Sequence, residues 1–403
     1  MPMFPRRHVF RLLAGASVFS VMGLPNAVFA AAPGERRFVV ILLRGALDGL
    51  AAVPPLGDAH YQEKRGSLAL KPAGEPGGCF ALDHTFSLNP ALATLQPFWQ
   101  KGELLFIHAA GNGYHTRSHF DAQDLMESGL ADKAGVSDGW LNRAISLLQK
   151  GDRRLGLAVG GAVPLILRGA VPVASWEPPG GLRDASPEFI AALTRLYEPD
   201  PLLGPALTNG IKAQSFSETV LGDDDMKGGR GFGPKNFAPL TEAAGKLLAA
   251  PDGPRIAALD MGGWDTHVNQ GAEKGRLADN LAGFAAGLEA LATSLGPTWK
   301  ETVVVAVTEF GRTVAVNGNN GTDHGTASVM FLMGGGVKGG RVAGDWPGLA
   351  QLEENRDLRV GTDSRRVMKA LLRDHLGLDA ASLDRKVFPD TPVLRPFDGL
   401  LKA

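Results

Sequence analysis

The sequence predicts an α/β fold built on a large, mostly parallel sheet flanked by helices on both faces. Three continuous apolar runs carry that prediction: Arg37 to Leu43, Ile256 to Leu259 and Val303 to Val307. None alternates apolar with polar, which is the pattern of central strands buried on both faces. Between the second and third runs, Leu277, Leu281, Phe284, Leu288, Leu291 and Leu295 recur every third or fourth residue, as on one amphipathic helix. Strand, acidic loop, helix, strand and acidic loop make a βαβ unit whose two loops lie at the same sheet edge.

The chain has 403 residues, 44% of them hydrophobic and 21% charged, with a net charge of −1. That length and balance suit a globular protein with a sizeable core. So small a charge gives no support to a nucleic-acid or membrane-surface partner, and none is expected. A single cysteine, Cys79, excludes an intrachain disulfide, and its Gly/Pro-rich setting reads as structural or incidental.

The first 30 residues read as a leader. Arg6-Arg7 and Arg11 come without an acidic residue, an apolar stretch runs from Leu12 to Leu24, and Val28-Phe29-Ala30 precedes Ala31. Charged region, apolar region and small-residue cleavage site occur in order, and the arginine pair predicts a twin-arginine export signal cut after Ala30, with an ordinary Sec signal or an uncleaved anchor as the alternative. The apolar stretch is short and interrupted by Gly15, Gly23 and Pro25, so no stable membrane span is expected after cleavage. Residues 31–403 are then one domain, periplasmic or secreted, with the twin-arginine translocase its partner during export. Without the leader's three arginines, 38 basic residues face 42 acidic ones, a charge of −4.

In chain order, the first apolar run ends at Arg44-Gly45-Ala46-Leu47-Asp48-Gly49. Asp48 is either a turn-former or a site residue, since open α/β sheets bind ligands beyond the carboxyl ends of their strands. Leu88 to Leu95 reads as a helix with Pro90 in its first turn, and Leu104 to His108 as a strand. Then comes the densest polar cluster of the chain, His115-Thr116-Arg117-Ser118-His119-Phe120, running into helix-forming Asp121 to Glu127. Ser118 with Asp121 resembles a capping box. A hydroxyl at a helix start also sits where backbone N–H groups and the dipole favour an anion. Ser118 is therefore a candidate nucleophile as well as a cap, with Thr116 the rival hydroxyl.

Farther on, Trp140 to Leu148 and Ser186 to Tyr197 read as helices, Val163 to Leu167 as a short strand, and Gly222 to Gly233 as a charged, solvated loop. Ser328 to Met333 is another strand. The glycine-rich run after it lacks the Gly-Lys-Ser/Thr ending of a P-loop. Asp363 caps a helix that Gly377 stops.

The strand ends carry metal-ligand chemistry. Asp260, Asp265 and His267 follow the second apolar run, Glu309 the third, and Asp323-His324 lie in the next loop. Carboxylates and imidazoles at the loop ends of a rigid sheet suit hard or borderline divalent ions. Arg117 or Arg312 could clamp an oxyanion.

Arg44 to Gly49, His115 to Phe120, Gly263-Trp264-Asp265-Thr266-His267, Thr308 to Arg312 and Thr322 to Gly325 resemble, in that order, the DUF1501 family of exported bacterial proteins. That family is grouped with the alkaline phosphatase/sulfatase superfamily. The resemblance implies an alkaline phosphatase/sulfatase-like fold, one or two divalent ions (Zn, Mg, Ca or Mn not distinguished), and a hydroxyl nucleophile at a helix start. It implies Asp48, Asp260, Asp265, Glu309 and His324 as metal candidates, to which the residue chemistry of the loops adds His267 and Asp323. Ser118 or Thr116, with His115, Arg117 and His119, would be the catalytic set, and a small-molecule or polymer phosphate or sulfate ester the substrate. Two positions depart from the superfamily: Glu309-Phe310 replaces Asp-His, and His267 follows Asp265 by two residues where four is usual. A non-catalytic cell-envelope protein that keeps the fold, with or without one structural ion, is the alternative.

Overall fold

A computed structural model describes residues 36–132, 136–148, 155–178, 186–200, 203–225, 233–389, 391 and 393–402. The predicted leader lies outside the described residues. Among them, the large sheet has nine strands: β1 (Arg37–Leu43), β2 (Leu104–Gly111), β3 (Gly156–Val159), β4 (Ala174–Trp176), β5 (Ile256–Met261), β6 (Thr302–Val307), β7 (Ser328–Met333), β8 (Arg341–Ala343) and β9 (Thr362–Asp363). Their order is β8-β2-β7-β6-β1-β5-β3-β4, with β9 beside the end of β2. Strand β7 runs antiparallel to both neighbours, and every other pairing is parallel.

Every residue of β1 is buried, and its alternation divides the core in two. Val39, Ile41 and Leu43 pack on the side of α5 (Pro234–Ala249) and α6 (Arg276–Leu295). Phe38, Val40 and Leu42 face the side of α2 (Trp140–Leu148) and α7 (Ser364–Asp374). Helices thus cover both faces, which is why the central strands read as unbroken apolar runs rather than alternating ones. In the register of β1, Leu42 stands opposite both Asp260 of β5 and Val307 of β6. The loops that follow these three strands therefore leave from one edge.

Several local expectations change. Residues 90–95 form a 3-10 helix, Pro90–Leu95, capped by the Asn89 side chain and kinked at Leu92, before a separate helix, Gln96–Gln100. Prolines 90 and 97 each suit a first turn, so two short helices replace the single one. The expected strand at 163–167 is a 3-10 turn, Leu165–Leu167, entered from extended Pro164. Residues 222–225 end a long helix, Leu203–Asp225, instead of beginning a loop, while 226–232 lie outside the described residues. Ser118 stands at the start of α1 (His119–Ser128) but makes no capping hydrogen bond. Asp121, its expected partner, accepts instead from the Tyr114 hydroxyl at 3.0 Å. Among the described residues, no helix is long and apolar enough to cross a membrane.

Candidate metal centre

Four side chains from two loops and a helix start meet at the edge where β1, β5 and β6 end. His119 opens α1, Asp265 and His267 follow β5, and His324 lies between β6 and β7. His324 Nε2 is 2.9 Å from His119 Nε2 and 2.9 Å from His267 Nε2. The same Asp265 Oδ1 lies 3.0 Å from His267 Nε2, 3.2 Å from His324 Nε2 and 3.6 Å from His119 Nε2. Donor atoms of His119, Asp265 and His324 all fall within 4.8 Å of one another.

The other nitrogen of each ring explains what these atoms offer. His119 Nδ1 faces Glu309 Oε1 at 2.7 Å, His267 Nδ1 faces Asp323 Oδ1 at 3.1 Å, and His324 Nδ1 faces the Arg117 carbonyl at 2.9 Å. All three partners accept, so a neutral ring that donates its Nδ1 proton to them turns an Nε2 lone pair inward. With protons so placed, Nε2 atoms 2.9 Å apart repel one another, and a shared cation turns that repulsion into coordination; without one, a proton on His119 takes the cation's place. A tetrahedral ion with bonds of about 2.0–2.1 Å spaces its ligands by roughly 3.3 Å, close to the separations here. Histidine backed by carboxylate or carbonyl on its far nitrogen is the usual second layer of such centres.

Charge points the same way. Burial alone would raise the Asp265 carboxyl, but contacts from His119, His324 and Arg312 outweigh it and hold it far below the usual range. Burial opposes ionisation of Glu309 too, and bonds from His119, Gln123 and the Gly45 amide overcome it. Asp323 is lowered by Asn317 and then by His267. Of the cationic side chains, Arg312 reaches Asp265 at 2.6 Å. Three carboxylates against one guanidinium leave an excess of two negative charges, which a divalent cation would balance. In the protein alone that excess falls on His119, pushed up to about 9 first by Asp265 and then by Glu309.

Local backbone makes the convergence possible. Gly45 has φ 114°, and a Cβ there would lie 2.7 Å from the Asp265 amide nitrogen, so the strand β1 loop and the Asp265 loop touch only through glycine. Its own amide donates to Glu309 at 2.8 Å. Phe310 is buried and stacks on His119, with ring centroids 4.9 Å apart, and lies 5.2 Å from the His324 ring.

The remaining candidates take other positions. Glu309 and Asp323 back two histidines from outside the converging atoms. Asp48 is buried and receives Arg65 at 2.5 Å, Gln270 at 2.7 Å and the Ala51 amide at 3.2 Å, capping the one-turn helix Gly49–Ala52. Asp260 lies within β5 and pairs with Arg44 at 2.8 Å; burial pushes it up to about 6 against that partner. Arg117 pairs with Glu354 and Asp357, so its guanidinium is committed, as is that of Arg312. Ser118 is half-buried directly before His119, while Thr116 and His115 are exposed.

Sequence reasoning passed over Gln123, which bridges Arg44 and Glu309, and the Gln270–Thr322–Arg312 chain behind Asp265. Gln123 had one legible signal: it lies four residues after His119 on the same helix face.

The family model for DUF1501, described as a protein of unknown function, matches residues 227–387. That segment contains Asp265, His267, Glu309, Asp323 and His324 but not Ser118 or His119. No curated protein sequence matches the chain. Among solved structures, a protein in the alkaline phosphatase superfamily from Vibrio parahaemolyticus is similar at 10% identity, covering 98% of this chain and 80% of that one with a TM-score of 0.42. The phosphonate monoester hydrolase of Agrobacterium radiobacter is similar at 10% identity, with 85% and 74% covered and a TM-score of 0.38. The lipoteichoic acid synthase LtaP from Listeria monocytogenes is similar at 12% identity, with 96% and 81% covered and a TM-score of 0.37.

Proposed function

We propose that the protein is an exported, metal-dependent hydrolase of phosphate or sulfate esters, its ion held by His119, Asp265 and His324 with His267 beside them. The observation that carries this is the meeting of three Nε2 lone pairs and Asp265 Oδ1, with every far nitrogen hydrogen-bonded to an acceptor. A bound divalent ion would supply Lewis acidity toward an ester oxygen and ease ionisation of a hydroxyl. Ser118 is the nucleophile of choice: it adjoins His119, is spared from capping, and stands at the start of α1, whose amide groups favour the ester's anionic oxygens. Side-chain exposure of 38% for His267 and 43% for Asp265 supports a centre open to a substrate, where a structural ion would be closed in. The resemblance of the sequence motifs to the phosphatase/sulfatase superfamily supports the same class, and Arg6-Arg7 supports export.

The second reading, a non-catalytic envelope protein with or without a structural ion, is favoured by the commitment of both Arg117 and Arg312 to carboxylates. Metal analysis of the exported protein, with assays on aryl phosphates and sulfates, decides between them. The hydrolase reading expects bound divalent metal, activity lost in His324→Ala, and at least a 1000-fold loss, on the order of removing a nucleophile, in Ser118→Ala but not Thr116→Ala. No hydrolysis of either ester class would leave the non-catalytic reading, whether or not metal is bound; absence of metal would by itself remove the hydrolase reading.

A further inference from the structure

Asp357 lies outside every motif discussed above, yet its carboxylate is fully buried between two arginines. Arg117 donates to Oδ2 from Nε at 3.0 Å and from Nη2 at 2.8 Å, and Arg356 donates to Oδ1 from Nε at 2.9 Å. Each arginine also touches His324. The Arg117 carbonyl accepts from His324 Nδ1 at 2.9 Å, and Arg356 Nη2 donates to the His324 carbonyl oxygen.

This contact stores unusual backbone. Arg117 is left-handed at φ 58°, and Glu354 and Asn355, in the tight turn that presents Asp357, have φ 49° and 54°. A non-glycine residue keeps that conformation only where its surroundings hold it there. For Arg117 the fixing bonds are those of its side chain to Asp357 and Glu354, and the result is a carbonyl aimed at a cluster histidine.

We infer that Asp357 is a positioning residue for the metal centre, ordering His324 through Arg117 on the ring side and Arg356 on the backbone side. The inference rests on the reading of the cluster as a metal centre. Through Arg117, Asp357 holds the carbonyl that meets His324 Nδ1 at 2.9 Å and so fixes the ring with Nε2 directed at the cluster. Through Arg356 it fixes where the ring begins. Glu354 meets the same Arg117 guanidinium but is 60% exposed, so water replaces it at little cost.

The test is Zn(II) affinity of the full chain by chelator competition, with the visible spectrum of the Co(II)-substituted protein as a second readout. Asp357→Asn is expected to weaken Zn(II) binding by about 10–100-fold, the usual effect of losing an outer-layer partner, and to change the Co(II) bands. Glu354→Gln is expected to leave both within about twofold. Arg356→Ala removes the backbone arm, together with one of the two arginines on Asp357, from a partly exposed side chain, and leaves the Arg117 arm in place; it is expected to weaken binding roughly tenfold and carries the test if Asp357→Asn does not fold. A merely structural Asp357 would lower the unfolding temperature and leave affinity and spectrum unmoved. That result, with wild-type protein binding Zn(II), overturns the inference alone; wild-type protein that binds no metal overturns the cluster reading and this inference with it.

Discussion

Replacing Glu309 with glutamine should separate metal affinity from fold stability. Oε1 accepts from the Gly45 amide at 2.8 Å, His119 Nδ1 at 2.7 Å and Gln123 Nε2 at 3.0 Å, and Oε2 lies 2.9 Å from the Thr308 hydroxyl. That hydroxyl can give its proton to the Leu43 carbonyl, 2.7 Å away. A glutamine amide therefore keeps its oxygen on all three donors and turns its NH2 toward Thr308, so only the charge is lost. Three charge-assisted bonds fall to neutral strength, about 1 kcal/mol each, or roughly 3 kcal/mol together. Relief from burying a carboxylate, worth several kcal/mol for a wholly buried ion, offsets most of it. Stability should change by no more than about 2 kcal/mol, while Zn(II) affinity falls about 10–100-fold as His119 loses its charged backing. In the metal-free protein the His119 pKa should drop from about 9, because one of the two carboxylates that raise it is gone. Glu309→Ala should do the reverse in emphasis, stranding three buried donors at about 1–3 kcal/mol each and compromising the fold itself. Denaturant unfolding, chelator competition and histidine nitrogen NMR measure the three quantities. An E309Q protein with Zn(II) affinity within twofold of wild type would refute the idea that Glu309 acts on the ion through His119.

Asp48→Ala should leave the buried Arg65 guanidinium without its counter-charge and destabilise the protein by about 3–5 kcal/mol, with metal stoichiometry unchanged; metal analysis showing lost metal in a fully stable variant would instead place Asp48 on the ion. Phe310→Ala should cost about 3–5 kcal/mol in urea unfolding and slacken the His119 and His324 rings it supports. Stability should also fall in acid, because burial lowers His108 and His375 to about 4 from 6.5. Between those values the unfolded chain binds the extra protons, so the contribution is complete above 6.5 and is lost as pH falls toward 4, at up to about 1.4 kcal/mol per pH unit for each histidine. His119 has the opposite sign: raised to about 9, it favours the metal-free fold below 6.5 and ceases to do so as pH rises through 9. Unfolding midpoints across pH 5 to 9, with His108→Gln for comparison, check both trends.

Central strands and the βαβ unit were legible because burial on both faces leaves an unbroken apolar run, as the fully buried β1 and β6 show. Helix α6 was legible because one face repeats against the core. Short elements were not: 3-10 turns at 90–95 and 165–167 bury too few residues to impose a period, and proline chemistry decides them locally. Asp260 looked like a loop residue because a charge seldom ends a central strand. Here Arg44 reaches across from the β1 loop and lets the carboxylate remain inside β5.

The site divides along a different line. Residue chemistry at a strand end can be read from sequence, but the order of layers around an ion cannot. Glu309 and Asp323 differ from Asp265 only in which side of an imidazole they meet, and that depends on four backbone segments placed to within about a bond length. A carboxylate on Nδ1 fixes the proton and raises the basicity of the ring; on the Nε2 side it competes for the ion itself. The wide separation of the three histidines in sequence hides this, since the Nδ1 of each meets a partner from another segment: Glu309 for His119, Asp323 for His267, and the Arg117 carbonyl for His324. Phe310 completes the logic. Its buried ring packs against His119 and His324, adding apolar support to that side of the cluster and no donor. Stacking on one side and acceptors on the other thus hold the His119 and His324 rings in the orientation that the proposed centre requires.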